Sequence, residues 1–300
     1  MKTEKNLLTL SAAGGLFFSV LGLAWGMMSH SSMIMFDGLY SFISLCTSIV
    51  AICISNYIYK KDFDKFPFGK GVLEPITVAF QSVVLVVMCS LTLLNGVKEL
   101  LAGGSSVNTN LALGYSIISS VGCIVVYFLM YKKGNKLSSE IIRAESNQWL
   151  MDTIISVAVF VGFIISVVLG LTSFANLTRY VDPLMVVITS ALFIKLPVTT
   201  LIRSFKEIVN TNASKEINDK IYTIVKDIED EYNFENSITR VSKIGRELRI
   251  EIDFVFNDKS SLNELDEMDK VREQVSKNMS GIKLEKWLNV NFTGDRKWAI

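Results

Sequence analysis

The chain has 300 residues, 50% of them hydrophobic, and a mean hydropathy of +0.39, more apolar surface than one soluble domain of that length hides. Its net charge is only +1, and most charged residues sit in short loops or in the C-terminal third, so the chain divides into an apolar part and a polar part. That pattern excludes an ordinary soluble fold and makes lipid the expected partner of the first part.

A helix needs about 20 apolar residues to cross a bilayer core. Six stretches meet that length, at 10–28, 33–57, 73–101, 111–130, 149–171 and 181–202. Because helices satisfy their own backbone groups in lipid, they are read as a membrane α-helical bundle of six transmembrane helices over residues 1–204. The first stretch has no small-residue cleavage site and is read as a retained helix. Gly14, Gly15, Gly22 and Gly26 in it are expected to let neighbouring helices approach, and Pro183 and Pro197 to loosen the sixth span. The four cysteines, Cys46, Cys53, Cys89 and Cys123, show neither CxxC spacing nor histidine pairing and are read as small buried hydrophobes.

Orientation follows from basic residues retained on the cytoplasmic side. Lys60, Lys61, Lys65 and Lys70 follow the second span, and Lys132, Lys133, Lys136 and Arg143 follow the fourth. The first and third connections carry no Lys or Arg and the fifth only Arg179, which places both termini in the cytoplasm of a cell-membrane protein. These basic loops serve as topology signals rather than as nucleic-acid sites.

Residues 205–300 carry evenly spread charge and alternating patterns that fit a small α+β domain. The expected order is a helix at 214–232 capped by Ser214, a hairpin of 237–244 and 247–256 turning at Gly245 and Arg246, a helix at 261–279 with a Ser261–Glu264 cap, and a strand at 283–292. In the second strand Leu248, Ile250, Ile252 and Phe254 share one face, with Arg249, Glu251 and Asp253 on the other.

Ionisable groups inside a span are costly and are the default candidates for a pathway. Asp37 in the second span has Ser41 one turn later, and Asp152 in the fifth has Gln148 one turn earlier. Residues four apart share a helix face, so Asp37, Ser41, Gln148 and Asp152 could meet in one cavity with oxygen from each. Oxygen ligands suit Mg²⁺, Mn²⁺ or Ca²⁺ better than zinc, which favours nitrogen and sulfur. The plain alternative is that each Asp hydrogen-bonds within the bundle or lies near an interface. Neither a nucleophile–base constellation nor a phosphate-binding glycine loop is present, so the chain is read as no enzyme, without a resident cofactor.

Three segments resemble the cation diffusion facilitator family: Asp37-Gly38-Leu39-Tyr40-Ser41, then Phe66-Pro67-Phe68-Gly69-Lys70-Gly71 with Glu74, and Arg143-Ala144-Glu145 leading to Gln148 and Asp152. The resemblance implies a C-terminal cytoplasmic ferredoxin-like domain, a homodimer, and export of a divalent metal cation in exchange for protons by alternating access. It also implies that Asp37, Ser41, Gln148 and Asp152 stand at the transport site, with Ser and Gln at the inner positions. The single histidine, His30, lies in a short loop, so a zinc site built on histidine is not expected and Mn, Fe or Co is the expected cargo. Phe66 and Lys70, and in the C-terminal domain Thr239, Asp253, Asn291 and Thr293, stand where zinc-carrying relatives hold further ligands. Two other readings remain open: export of a monovalent or organic cation through the same cavity, and a non-transporting membrane scaffold or sensor.

Overall fold

The computed structural model describes residues 2–299 except 60–63, 138, 139, 259, 261, 263 and 283. For residues 2–6, 8, 48, 51, 52, 55, 59, 133–137, 140–145, 147 and 148 it describes the backbone alone. The helices are α1 (Lys2–Ser29), α2 (Ser32–Tyr59), α3 (Leu73–Leu101), α4 (Thr109–Leu137), α5 (Glu140–Gly170), α6 (Thr178–Phe193), α7 (Lys195–Ile208), α8 (Lys215–Glu231) and α9 (Leu265–Asn278). Three strands follow the same numbering: β1 (Asn236–Ile244), β2 (Glu247–Val255) and β3 (Glu285–Thr293).

Among the described residues five helical stretches are long and apolar enough to cross a membrane: Thr9–Ser29, Leu73–Leu101, Thr109–Lys132, Trp149–Gly170 and Ala175–Ile208. A shorter apolar stretch, Ser32–Thr47, opens α2. These apolar helices make a membrane helical bundle. The last apolar stretch is interrupted at Ile194 between α6 and α7, three residues before Pro197. Proline has no N–H for the carbonyl four residues back, so Phe193 ends one helix and Lys195 begins the next. Pro183 acts likewise inside α6: the Arg179 carbonyl that it leaves free accepts the Ser105 N–H at 2.8 Å, which ties down the α3–α4 connection.

The residues group into two compact units, one of 1–52 with 81–199 and one of 53–80 with 200–300. In the first, α1 and α2 are joined by a tight turn in which His30 adopts φ +53° and is exposed to its surroundings. Gly22 and Gly26 bring α1 onto α2 at backbone range: a Cβ on Gly22 would stand 2.9 Å from the Gly38 Cα, and one on Gly26 would stand 2.8 Å from the Met35 N. Gly15 has nothing within 4 Å and takes no part in that approach. Cys89 and Cys123 are buried as expected, but Cys46 and Cys53 are exposed, because they fall on the outer faces of α2.

In the second unit a three-stranded sheet has the order β1-β2-β3, with β1 antiparallel and β3 parallel to β2. The β1–β2 register closes on Ile244 opposite Glu247, so Gly245 (φ +57°) and Arg246 form a two-residue turn. Ile221, Val225 and Ile228 of α8 and Val271 and Val275 of α9 pack with Leu248, Ile250, Ile252 and Phe254 in one core. Burial of a single such side chain is worth about 1.5–3 kcal/mol, so this face holds the small domain together. The cap expectations need correction. Ser214 stands at the start of α8 without a side-chain cap bond, and α9 is capped by Glu264 and Glu267, while Ser261 lies outside the described residues.

Asp253 also departs from expectation: although it lies on the sheet face opposite the core, it is 5% exposed. Its Oδ2 accepts from Arg240 at 2.7 Å and its Oδ1 from Asn291 at 2.8 Å, while Arg240 also donates to the Ala299 carbonyl at 2.7 Å. The C-terminal turn thus covers a face that would otherwise be wet. Around the hairpin, Glu207 accepts from Lys243 at 2.9 Å and from the Gly245 N–H at 3.1 Å, and Arg246 meets Glu74 at 3.2 Å. Lys70, 6% exposed, lies 4.0 Å above the Tyr57 ring and 5.0 Å above Phe66. Replacing Asp253 by Ala strands the Arg240 and Asn291 donors, and urea unfolding of the full chain is expected to show a loss of about 1–3 kcal/mol. A midpoint equal to the parent's would show that this network holds nothing.

Candidate metal centre

The start of α2 sets the position of everything that follows on it. Four N–H groups at a helix N-terminus have no partner in their own helix, and inside an apolar bundle water cannot supply one. Here the partner is Asp182 of α6, which is 2% exposed. It accepts the Ser31 hydroxyl at 2.5 Å, the Ser32 N–H at 2.9 Å and the Met33 N–H at 3.4 Å. Ser31 in turn receives the Ile34 N–H at 3.1 Å, and the Ser32 hydroxyl donates to Glu99 of α3 at 2.8 Å. An anion at a helix N-terminus also gains from the helix dipole. Neither Asp182 nor Glu99 was singled out from the sequence. Asp182 stood within a predicted span, and that was the signal available.

Asp37 follows little more than a turn into α2, half-buried, beside the close approach of Gly38 to α1. Its Oδ2 accepts the hydroxyl of Tyr115, a residue of α4 that is 1% exposed. The separation is 3.0 Å. Four and eight residues further along the same face of α4 come Ser119 and Cys123. Ser119 Oγ lies 2.9 Å from Ser156 Oγ of α5, and Cys123 Sγ lies 3.7 Å from that same oxygen. Ser156 stands one turn beyond Asp152.

Of the four residues expected at the site, Asp37, Ser41 and Asp152 are half-buried in α2 and α5, whereas the side chain of Gln148 lies outside the described residues. Helix α4 enters as a further wall, with Tyr115, Ser119 and Cys123, which the sequence offered only as a four-residue polar spacing in an apolar stretch. Among the described residues no three His, Cys, Asp or Glu side chains gather closely enough to hold a metal ion. The donors on hand are therefore carboxylate and hydroxyl oxygens, a set that suits a hard or intermediate cation.

A chain of apolar helices carrying acids and hydroxyls towards its interior is the class of protein that passes small cations through a bilayer. The family model of the cation efflux transmembrane domain matches residues 8–209, and the chain belongs to the cation diffusion facilitator family, whose members are membrane-embedded cation efflux transporters and not enzymes. Among known relatives, the chain is similar to the manganese efflux system protein MneP of Bacillus subtilis strain 168. The two are 24% identical over 213 residues, which cover 71% of this chain and 69% of that protein.

Replacing Asp182 by Ala removes the acceptor for the Ser31 hydroxyl and the Ser32 N–H. The expected cost is about 1–3 kcal/mol, read as a lower unfolding midpoint in detergent. Ser106→Ala, in the exposed connection before α4, serves as the control and is expected to leave the midpoint in place. Equal midpoints for both variants would remove the anchoring role.

Proposed function

We propose that this transporter exports a divalent cation, with Mn²⁺ first and Fe²⁺ or Co²⁺ next, through a cavity lined by Asp37, Ser41, Gln148 and Asp152. The observation that carries the reading is the pair of half-buried acids, Asp37 on α2 and Asp152 on α5, with α4 reaching towards both: Tyr115 bonds Asp37, and Ser119 lies 2.9 Å from Ser156, one turn beyond Asp152. A divalent cation between the two acids would be balanced in charge, while Ser41, Gln148 and water would complete an oxygen shell. The absence of imidazole in these positions weighs against zinc, and the name of the relative MneP points the same way.

The finer features belong to the same proposal. With six spans, counting all of α2, both termini would lie in the cytoplasm, a reading supported by Lys65 and Lys70 between α2 and α3 and by Lys132 at the end of the apolar stretch of α4. The helix, strand, strand, helix, strand order of α8, β1, β2, α9 and β3 fits a ferredoxin-like domain. Lipid surrounds the apolar helices, and a second copy completes a homodimer. Carboxylates released by the cation can take protons in its place, which makes the site suited to proton-coupled alternating access.

The test is flux into proteoliposomes with an imposed proton gradient. Mn²⁺ movement is expected for the parent and to fall by more than about 30-fold for both Asp37→Asn and Asp152→Asn, since each removes one of the two negative charges that balance the divalent cation. Parent-like Mn²⁺ flux in both variants would remove the site. A site in which no three His, Cys, Asp or Glu side chains gather among the described residues also fits a weakly coordinated organic or monovalent cation, and movement of such a cation with no Mn²⁺ flux would install that reading instead.

A further inference from the structure

We infer that Tyr115 holds Asp37 as a one-oxygen ligand and thereby sets which size of divalent cation the cavity prefers; this rests on the reading of Asp37 as a ligand given above. The phenol donates to Oδ2 of Asp37 at 3.0 Å and leaves Oδ1 outside that bond. One turn further along α4, Ser119 is held 2.9 Å from Ser156 on α5, which fixes the helix that bears the phenol. The ring packs with Met33, Ile34 and Phe36 of α2, so neither end of the side chain is free to swing.

The seat of the hydroxyl is cut from α1. A methyl group at Gly22 would stand 2.8 Å from the Tyr115 oxygen and 2.9 Å from the Gly38 Cα, so this glycine serves both the helix contact and the phenol. Three helices thus converge on one carboxylate: α1 clears the space, α2 bears the acid and α4 supplies the donor. None of this belongs to the helices that carry the proposed ligands other than α2 itself. Tyr115 is a positioning residue, acting on the cation through Asp37.

The orientation of a carboxylate decides how many oxygens it gives a cation. Larger hard cations such as Ca²⁺ take six to eight oxygens and accept both from one carboxylate, whereas smaller divalent ions demand a stricter, smaller shell. A carboxylate pinned through Oδ2 favours one-oxygen binding and so favours the smaller ion. Freed of the phenol, Asp37 can turn both oxygens to the cation, and the penalty on Ca²⁺ falls.

The experiment compares Mn²⁺ and Ca²⁺ as competing ions in proteoliposomes bearing the parent or Tyr115→Phe, which keeps the ring and removes only the hydroxyl. The expected result is a fall of roughly tenfold in the Mn²⁺ over Ca²⁺ preference, the size of effect set by one hydrogen bond to a charged group. A merely structural role would lower transport of both ions together, so a ratio within about twofold of the parent overturns the inference. If Tyr115→Phe folds but moves neither ion, the same ratio is read by competitive binding to the detergent-solubilised protein, where a tenfold fall again supports the inference and a parent-like ratio again overturns it. If it does not fold, Tyr115→Met, which fills the same buried place with an apolar side chain and also removes the hydroxyl, takes its place and is judged by the same ratio. Asp37→Asn distinguishes the two proposals. Lost Mn²⁺ flux there with an unchanged ratio in Tyr115→Phe sinks this inference alone, while parent-like flux in Asp37→Asn sinks it together with the ligand reading.

Discussion

A helix that starts inside an apolar bundle brings unpaired N–H groups into a place where lipid offers them nothing, and in this protein the carboxylate of Asp182 meets them. That contact joins α6 to α2, and Glu99 adds α3 through the Ser32 hydroxyl. With its first turn fixed, α2 can lie along only one line, and Gly22 and Gly26 bring α1 against it at backbone range. The position of Asp37 is a consequence of this arrangement. Its neighbours on α1 and α4 arrive because α2 is already placed.

Around Asp37 the bundle spends its few polar side chains on one another. Tyr115 bonds Asp37, and one turn on along α4 Ser119 meets Ser156 of α5, which also lies 3.7 Å from the Cys123 sulfur. Such contacts partner polar groups that lipid would leave unmet. Cation efflux, the work of this family, needs a site that binds well enough to select and weakly enough to release. The proposed set of two acids with neutral oxygens would meet both demands without the tighter hold of a closed cage of nitrogen and sulfur ligands.

The soluble part obeys the same rule in a different solvent. Asp253 lies on the polar face of β2, yet Arg240, Asn291 and the C-terminal turn enclose it and take both of its oxygens. Asp253 is thereby committed to an ion pair and an amide. The hairpin tip is similarly occupied, with Glu207 shared between Lys243 and the Gly245 N–H, and Glu74 beside Arg246. These acids, unlike Asp37, are held by basic partners.

Five of the apolar stretches, the strand hairpin at Gly245 and Arg246, and the loosening near Pro197 could be read from residue order, because length, alternation and the missing proline N–H act over a few neighbours. Family membership was legible for a similar reason, since short segments around Asp37 and Asp152 carry the resemblance. The partners of the buried acids were not. Tyr115 and Asp37 are 78 positions apart and Ser31 and Asp182 are 151, and no local rule links such residues. Only the folded packing of α1, α2, α4 and α6 chose among the acids, hydroxyls and backbone donors that composition made available, since an unmet polar group in an apolar interior costs more than any single helix can supply by itself.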